Sequence, residues 1–340
     1  MYKPVKTVIL TAGLAILLGI TIIFSIGTGQ TPIHPSTVAG ILAGLITGVF
    51  PSCDPSYSTI ILAIRLPRVI LAALVGASLA VCGAALQSLF KNPMADPFIL
   101  GISNGAALGA TIIMVYGISF GLGIFDLPFL AFVGAIATIF LVYRIAKIGQ
   151  KVPVNTLLLS GIAISAFFSA ITSLIMFTSN ASFEHIMFWT MGGFSGRGWE
   201  YIWMVLPFAF VGTVIVLYYA RNLNALMFGE ESAQYLGIDT ERLKKTLLII
   251  SAIMTGAAVA VSGVIGFVGL IIPHIIRLIV GPDHRILLPV TIFSGALFLV
   301  VADILARTVI APAELPIGVI TALCGAPFFL YLLRSKRGEL

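Results

Sequence analysis

Charge is what this chain has least of: 9% of its 340 residues are Asp, Glu, Lys or Arg, against 59% hydrophobic. Charge-free stretches cover 8–33, 69–90, 97–125, 127–143, 152–183, 201–220, 246–276, 286–302 and 315–333. A helix needs about 20 apolar residues to cross a bilayer core of about 30 Å, and most of these runs reach that length. A soluble domain of this size does not carry so many. The expected fold is an all-α polytopic membrane protein. Cysteine is also scarce. Cys53, Cys82 and Cys324 are too few and too scattered for a disulfide framework or a metal site. Cys82 and Cys324, inside apolar runs, read as packing residues. No G-x-x-x-x-G-K-[ST] phosphate loop occurs, which excludes ATP hydrolysis by the P-loop route. Nor is there a clustered His, Ser or carboxylate constellation of the kind a membrane enzyme needs. No cofactor or metal of its own is expected.

Positive charge is in surplus, 19 Lys and Arg against 13 Asp and Glu. These basic residues sit in short loops between apolar runs, which excludes a nucleic-acid surface. Gly263, Gly266, Gly269 and Pro273 break the long run 246–276 in two. Ten spans result, at roughly 7–28, 67–90, 97–117, 124–146, 154–178, 200–220, 244–262, 266–280, 286–309 and 316–333. An even count puts both termini on one side. All basic residues except Arg65, Arg68, Arg197 and Arg307 then share that side, which the positive-inside rule makes cytoplasmic. The N-terminal run lacks a small-residue cleavage site and reads as a retained first span. Two further apolar segments, "VAGILAGLITGV" (38–49) and "FEHIMFWTMGGF" (183–194), are too short to cross and are expected to lie at the outer surface.

"GASLAVCGA" (76–84) is echoed 180 residues later by "GAAVAVSGV" (256–264), in spans five apart in order. The odd offset inverts the second copy, and inverted repeats with broken helices are a transporter architecture. Intramembrane charges are functional candidates by default. Asp303 and Arg307, four apart, read first as a self-neutralised pair, because a proton relay lacks a second acid or histidine in register. "IRLPRVILAALVG" (64–76) puts Arg65 and Arg68 at the mouth of a span, facing outward against the charge trend. Lipid-headgroup anchoring and contact with an acidic partner are both open readings. The hydrophilic loop "RNLNALMFGEESAQYLGIDTERLKK" (221–245) reads as short helices along the membrane, with Glu230 and Glu231 at a helix start and Gly237 as a helix stop.

Eight segments in order carry a specific resemblance: "RLPR" (65–68), "NPMADPFILGISNGA" (92–106), "MGGF" (191–194), "GEESAQYLG" (229–237), "GFVGLIIPHIIR" (266–277), "DHRILLP" (283–289), "ADILAR" (302–307) and "ELPIG" (314–318). The chain resembles the FecCD family of ABC-importer permeases over nearly its whole length. The resemblance implies a single permease domain over 1–340 that forms a homodimer with its pathway on the two-fold axis. Two ABC ATPase subunits, which bind the ATP and Mg, would sit on the cytoplasmic side, and an extracytoplasmic binding protein on the other. It implies ATPase coupling through Glu230, Glu231, Ser232, Ala233, Leu236 and Gly237. Asn92, Met94, Val154 and Asn155 would narrow the inner end of the pathway. Arg65, Arg68 and Arg307 would meet acidic groups of the binding protein. The implied cargo is a metal chelate such as a ferric siderophore, cobalamin or haem. The alternative is an ion-coupled secondary transporter working alone, which needs ion sites at a midplane here nearly bare of acids.

Overall fold

The computed structural model describes residues 3–49, 51, 53–149, 151–179 and 183–336. Arg337, one of the basic residues assigned above to the terminal side, lies outside them. Fifteen α-helices follow in order: α1 (Lys3–Gly27), α2 (Pro35–Thr47), α3 (Pro55–Thr59), α4 (Leu66–Leu89), α5 (Ile102–Tyr116), α6 (Asp126–Ala146), α7 (Val154–Thr178) and α8 (Phe183–Met191). The second half contributes α9 (Trp199–Tyr218), α10 (Ala220–Met227), α11 (Glu230–Tyr235), α12 (Thr240–Ser262), α13 (Val268–Val280), α14 (His284–Thr308) and α15 (Ile317–Lys336).

Among the described residues, seven helices are long and apolar enough to cross a membrane. The other three expected spans fall on shorter apolar helices, α5, α13 and α15. The break expected in 246–276 is present: α12 ends at Gly263 (φ +69°) and α13 starts only at Val268, after Phe267 in a left-handed conformation. The two short apolar segments expected at the outer surface fold as α2 and α8, of 13 and 9 residues. His34 caps α2 and Gly48 (φ +74°) stops it.

One boundary differs from expectation. The second span does not begin at Pro67 but continues from Pro55 to Leu89 without interruption, over 35 residues. Pro67 has no N–H and crowds the preceding turn, which ordinarily breaks a helix interior. Here the turn Ile60–Arg65 widens to π register, with the Leu66 N–H reaching back five residues to the Ile61 carbonyl, and the helix passes through.

α4 and α12, which carry the two echoed sequences, are the most buried of the long helices and pack against each other. Small residues make that possible. Gly83 of α4 lies directly against the Gly269 backbone of α13, where any Cβ would collide with a carbonyl. Gly76 meets the Gly295 backbone of α14 in the same way. Cys82 is buried between α4 and α12, its Sγ 3.6 Å from the Ser251 carbonyl. Cys324 is exposed on α15 and is not the packing residue expected of it. α1 and α7 bury only about a tenth of their residues and form the periphery of the single chain.

Candidate functional site

Residues 220–239 fold on the face where α1 begins. α10 buries Leu223 and Leu226 against α4 and α14. Gly229 (φ +124°) turns the chain into α11, where Ala233 is buried and Glu231 and Ser232 are exposed. Glu230 turns back toward α12, its Oε2 2.7 Å from Lys244 Nζ, which also reaches Glu241 Oε1 at 3.1 Å. Gly237 is the expected stop: φ is +79°, its N–H donates to the Gln234 carbonyl at 2.9 Å, and the Ile238 N–H donates to the Ala233 carbonyl at 3.1 Å. The outermost side chains are apolar: Phe228 (84% exposed), Tyr235 (91%) and Leu236 (71%). The sequence reading took in Leu236 but missed Phe228 and Tyr235. Their signal was two aromatics inside an otherwise polar loop.

α4 ends on the same face. The Lys91 and Asn92 N–H groups donate to the Ser88 and Gln87 carbonyls, and Asn92 Oδ1 accepts from the Met94 N–H at 2.9 Å, presenting Met94 half-exposed. Gln87 binds this turn to α13: Nε2 donates to the Gly269 and Leu270 carbonyls, and Oε1 accepts from Arg277 Nη1 at 2.9 Å. Val154 and Asn155 open α7, Asn155 exposed. Phe90, beside the turn, shares a small cavity wall with Val154.

A second polar network joins α10 to α4. Asp283 caps α14, accepting from the Arg285 N–H, and pairs with the Arg285 guanidinium at 2.7 Å. Asn224 Nδ2 donates to Asp283 Oδ1 at 2.7 Å. The Arg285 guanidinium first, and Asn224 after it, hold the Asp283 carboxyl well below the usual carboxylate range. Asn224 Oδ1 then accepts from the His284 N–H (2.8 Å) and faces His284 Nδ1 (2.7 Å). His284, fully buried, puts Nε2 2.5 Å from Ser88 Oγ. The sequence reading took in the segment 283–289 but assigned no role to Asn224, His284 or Ser88.

The opposite face holds the arginines, and here the structure corrects the expectation of outward-facing side chains open to a partner. Arg65, Arg68 and Arg307 are each more than nine-tenths buried. Arg65 donates from Nη1 to the Ile26 carbonyl (2.8 Å) and from Nη2 to the Thr31 carbonyl (2.6 Å), capping the end of α1. Arg307 donates to the Thr28 carbonyl (2.8 Å) and to Ser25 Oγ (2.7 Å), and lies 3.0 Å from Asp303 Oδ2. Arg68 bridges Asp303 Oδ1 (2.9 Å) and both oxygens of Glu314 (3.0 Å). The physical reason is that the last carbonyls of α1 have no helical partners, and a buried Asp303 demands counter-charge. Glu314 remains exposed on the 309–316 loop. It and Arg68 border a cavity of about 670 Å³ that His185, Trp189 and Arg197 also line.

The comparisons agree with this architecture. The FecCD transport family model matches residues 17–335. The cobalamin import permease BtuC of Halobacterium salinarum is 48% identical over 80% of this chain and 73% of its own length. The hemin transport permease HmuU of Yersinia pestis is 43% identical over 81% of this chain and 83% of its own. A solved metal-chelate type ABC transporter in an inward-facing conformation superposes with a TM-score of 0.84 at 33% identity, covering 96% of this chain and 98% of the other. With seven long apolar helices among the described residues, a break between α12 and α13 and a match over nearly all its length, the chain belongs to the FecCD transport family of ABC-importer membrane permeases.

Proposed function

We propose that this chain is the permease subunit of a binding-protein-dependent importer that moves a metal chelate (ferric siderophore, cobalamin or haem) into the cytoplasm. ATP and Mg belong to a separate ATPase subunit. The observation that carries the reading is the apolar tip of residues 228–236. Phe228, Tyr235 and Leu236 project from a polar loop on a face rich in Lys and Arg. Contiguous exposed aromatics mark a protein contact. Glu231, Ser232 and Gly237 flank that tip, while Ala233 and Glu230 seat it on the body. Cobalamin and hemin permeases among the relatives support a bulky, coordinated cargo.

In this reading both termini and the apolar tip face the cytoplasm, the membrane is the cell membrane, and two copies enclose the pathway. α7 and α15 support the pairing: Leu159, Phe167, Leu174 and Leu330 are exposed on them in the single chain. Asn92, Met94, Val154 and Asn155 narrow the cytoplasmic end. The binding protein meets the opposite face at Arg68, displacing Glu314 from it. Glu314 is exposed and exchangeable, whereas Arg65 and Arg307 hold that rim from beneath. Against a lone ion-coupled transporter, Asp303 is already held by two arginines, and such a transporter has no use for an apolar docking tip.

The test is reconstitution of the permease with its ATPase and binding protein in vesicles. Uptake of the chelate carried by that binding protein should require ATP and survive ionophores that collapse ion gradients. Uptake driven by a gradient without ATP would overturn the proposal.

A further inference from the structure

We propose that Asn224, His284 and Ser88 form a mechanical joint that carries the movement of the ATPase-facing segment to the turn narrowing the pathway. The inference rests on the reading of α11 as the ATPase contact and adds three positioning residues to it. α11 hangs from α10 by backbone bonds: the Gly229 N–H donates to the Leu226 carbonyl at 3.1 Å, and the Ala233 N–H to the Gly229 carbonyl at 3.0 Å. α10 is tied sideways through Asn224. Its amide has one orientation, because Nδ2 faces the Asp283 carboxylate and leaves Oδ1 for the two N–H groups of His284. That fixes Nδ1 of the ring as the donor and turns Nε2 toward Ser88 Oγ. Ser88 lies in the last turn of α4, and its carbonyl accepts the Lys91 N–H at the head of the turn carrying Asn92 and Met94. The path from α11 to Met94 is thus continuous, and it crosses between helices at the buried pair His284 and Ser88.

The joint is also built to part. Ser88 Oγ has a second acceptor within 3.0 Å, the Ala84 carbonyl. When His284 withdraws, the hydroxyl turns to its own helix and is not left unsatisfied. Opening therefore avoids the penalty of a stranded buried donor. A hydroxyl with two alternative acceptors makes the Ser88 side of the tie switchable, an element with two arrangements of the kind coupling requires. The opposite tie, Gln87 to Arg277 and α13, holds the same turn from the other side.

The test uses the full complex of permease, ATPase and binding protein in vesicles, scoring chelate taken up per ATP hydrolysed. Asn224→Ala and Ser88→Ala should each leave the ATPase bound and basal hydrolysis within about twofold of the parent. Each should lower uptake per ATP at least tenfold. Asn224 and Ser88 do not touch each other and meet only through His284, so losses that do not run through that ring would multiply in the double variant. In a serial joint the double variant is no worse than either single one. Multiplying losses, or an unchanged uptake per ATP in either single variant, would overturn the joint. A separate arm, Tyr235→Asp with Leu236→Asp, asks whether the ATPase binds at α11 at all. Its retention there would overturn the underlying reading rather than the joint.

Discussion

Asp303 is a single carboxylate on which two arginines from different helices converge, inside a helix with no other acid. Asp303→Asn keeps the shape and removes the charge, leaving Arg68 and Arg307 buried with diminished partners. Breaking a buried ion network from one side costs about 3–5 kcal/mol. The variant should unfold at clearly lower temperature in detergent, followed by tryptophan fluorescence. A melting temperature equal to the parent's would mean that Glu314 satisfies Arg68, and the carbonyls at the end of α1 satisfy Arg307, without the Asp303 charge. Glu314→Gln is the complementary change at the rim. It frees Arg68 toward an acidic binding protein and should tighten docking by up to about fivefold at low salt, the scale of an exposed ion pair. Weaker docking would make Glu314 itself the contact. The sequence marked Arg65, Arg68 and Arg307 as special because charge is so rare there. Their burial was not legible, since it depends on α1 carbonyls 39 and 282 positions away and on Glu314, 246 positions from Arg68. The Asp303–Arg307 pair was legible, because four residues along a helix fix it locally.

At the scale of the element, local chemistry was readable where glycine or proline dictates it and misleading where packing overrides it. Gly237 and the break before α13 followed from sequence, while Pro67 did not end its helix. Gly237→Val forces a β-branched residue into a left-handed conformation at φ +79°. Open space surrounds the added Cβ, so the effect is confined to the backbone. The dimer should still assemble and bind its ATPase, while ATP-driven uptake falls strongly in vesicles. Normal uptake in this variant would remove Gly237 from the coupling segment. The Asn224–His284–Ser88 network escaped the sequence because its members come from three helices, and only the fold brings "DH" of 283–284 beside α10.

For the whole molecule, the span count was legible because hydrocarbon imposes a length on every crossing. Which faces touch lipid and which touch protein was not, because both are apolar. α7 buries only Leu157, Ser160, Gly161 and Thr172, and Phe167 stays 59% exposed. In the dimer proposed above that face meets its counterpart. With the native cysteines replaced, Phe167→Cys or Leu174→Cys should cross-link two copies in native membranes under mild oxidation. Absence of cross-linked dimer at every exposed α7 position, with α1 positions cross-linking instead, would move the interface to α1.

The helix running from Pro55 to Leu89 has a further consequence. At 1.5 Å per residue, its 35 residues measure about 52 Å, well beyond a hydrocarbon core of about 30 Å. One end holds Ser88; the other stands past Arg65 on the far surface. Such a rod behaves as a lever whose fulcrum is the glycine contacts with α13 and α14. A tilt of roughly 5° about such a fulcrum displaces each tip by about 2 Å, in opposite directions. A shift of the end that holds Ser88 is therefore felt at the opposite rim past Arg65, with no second messenger between them.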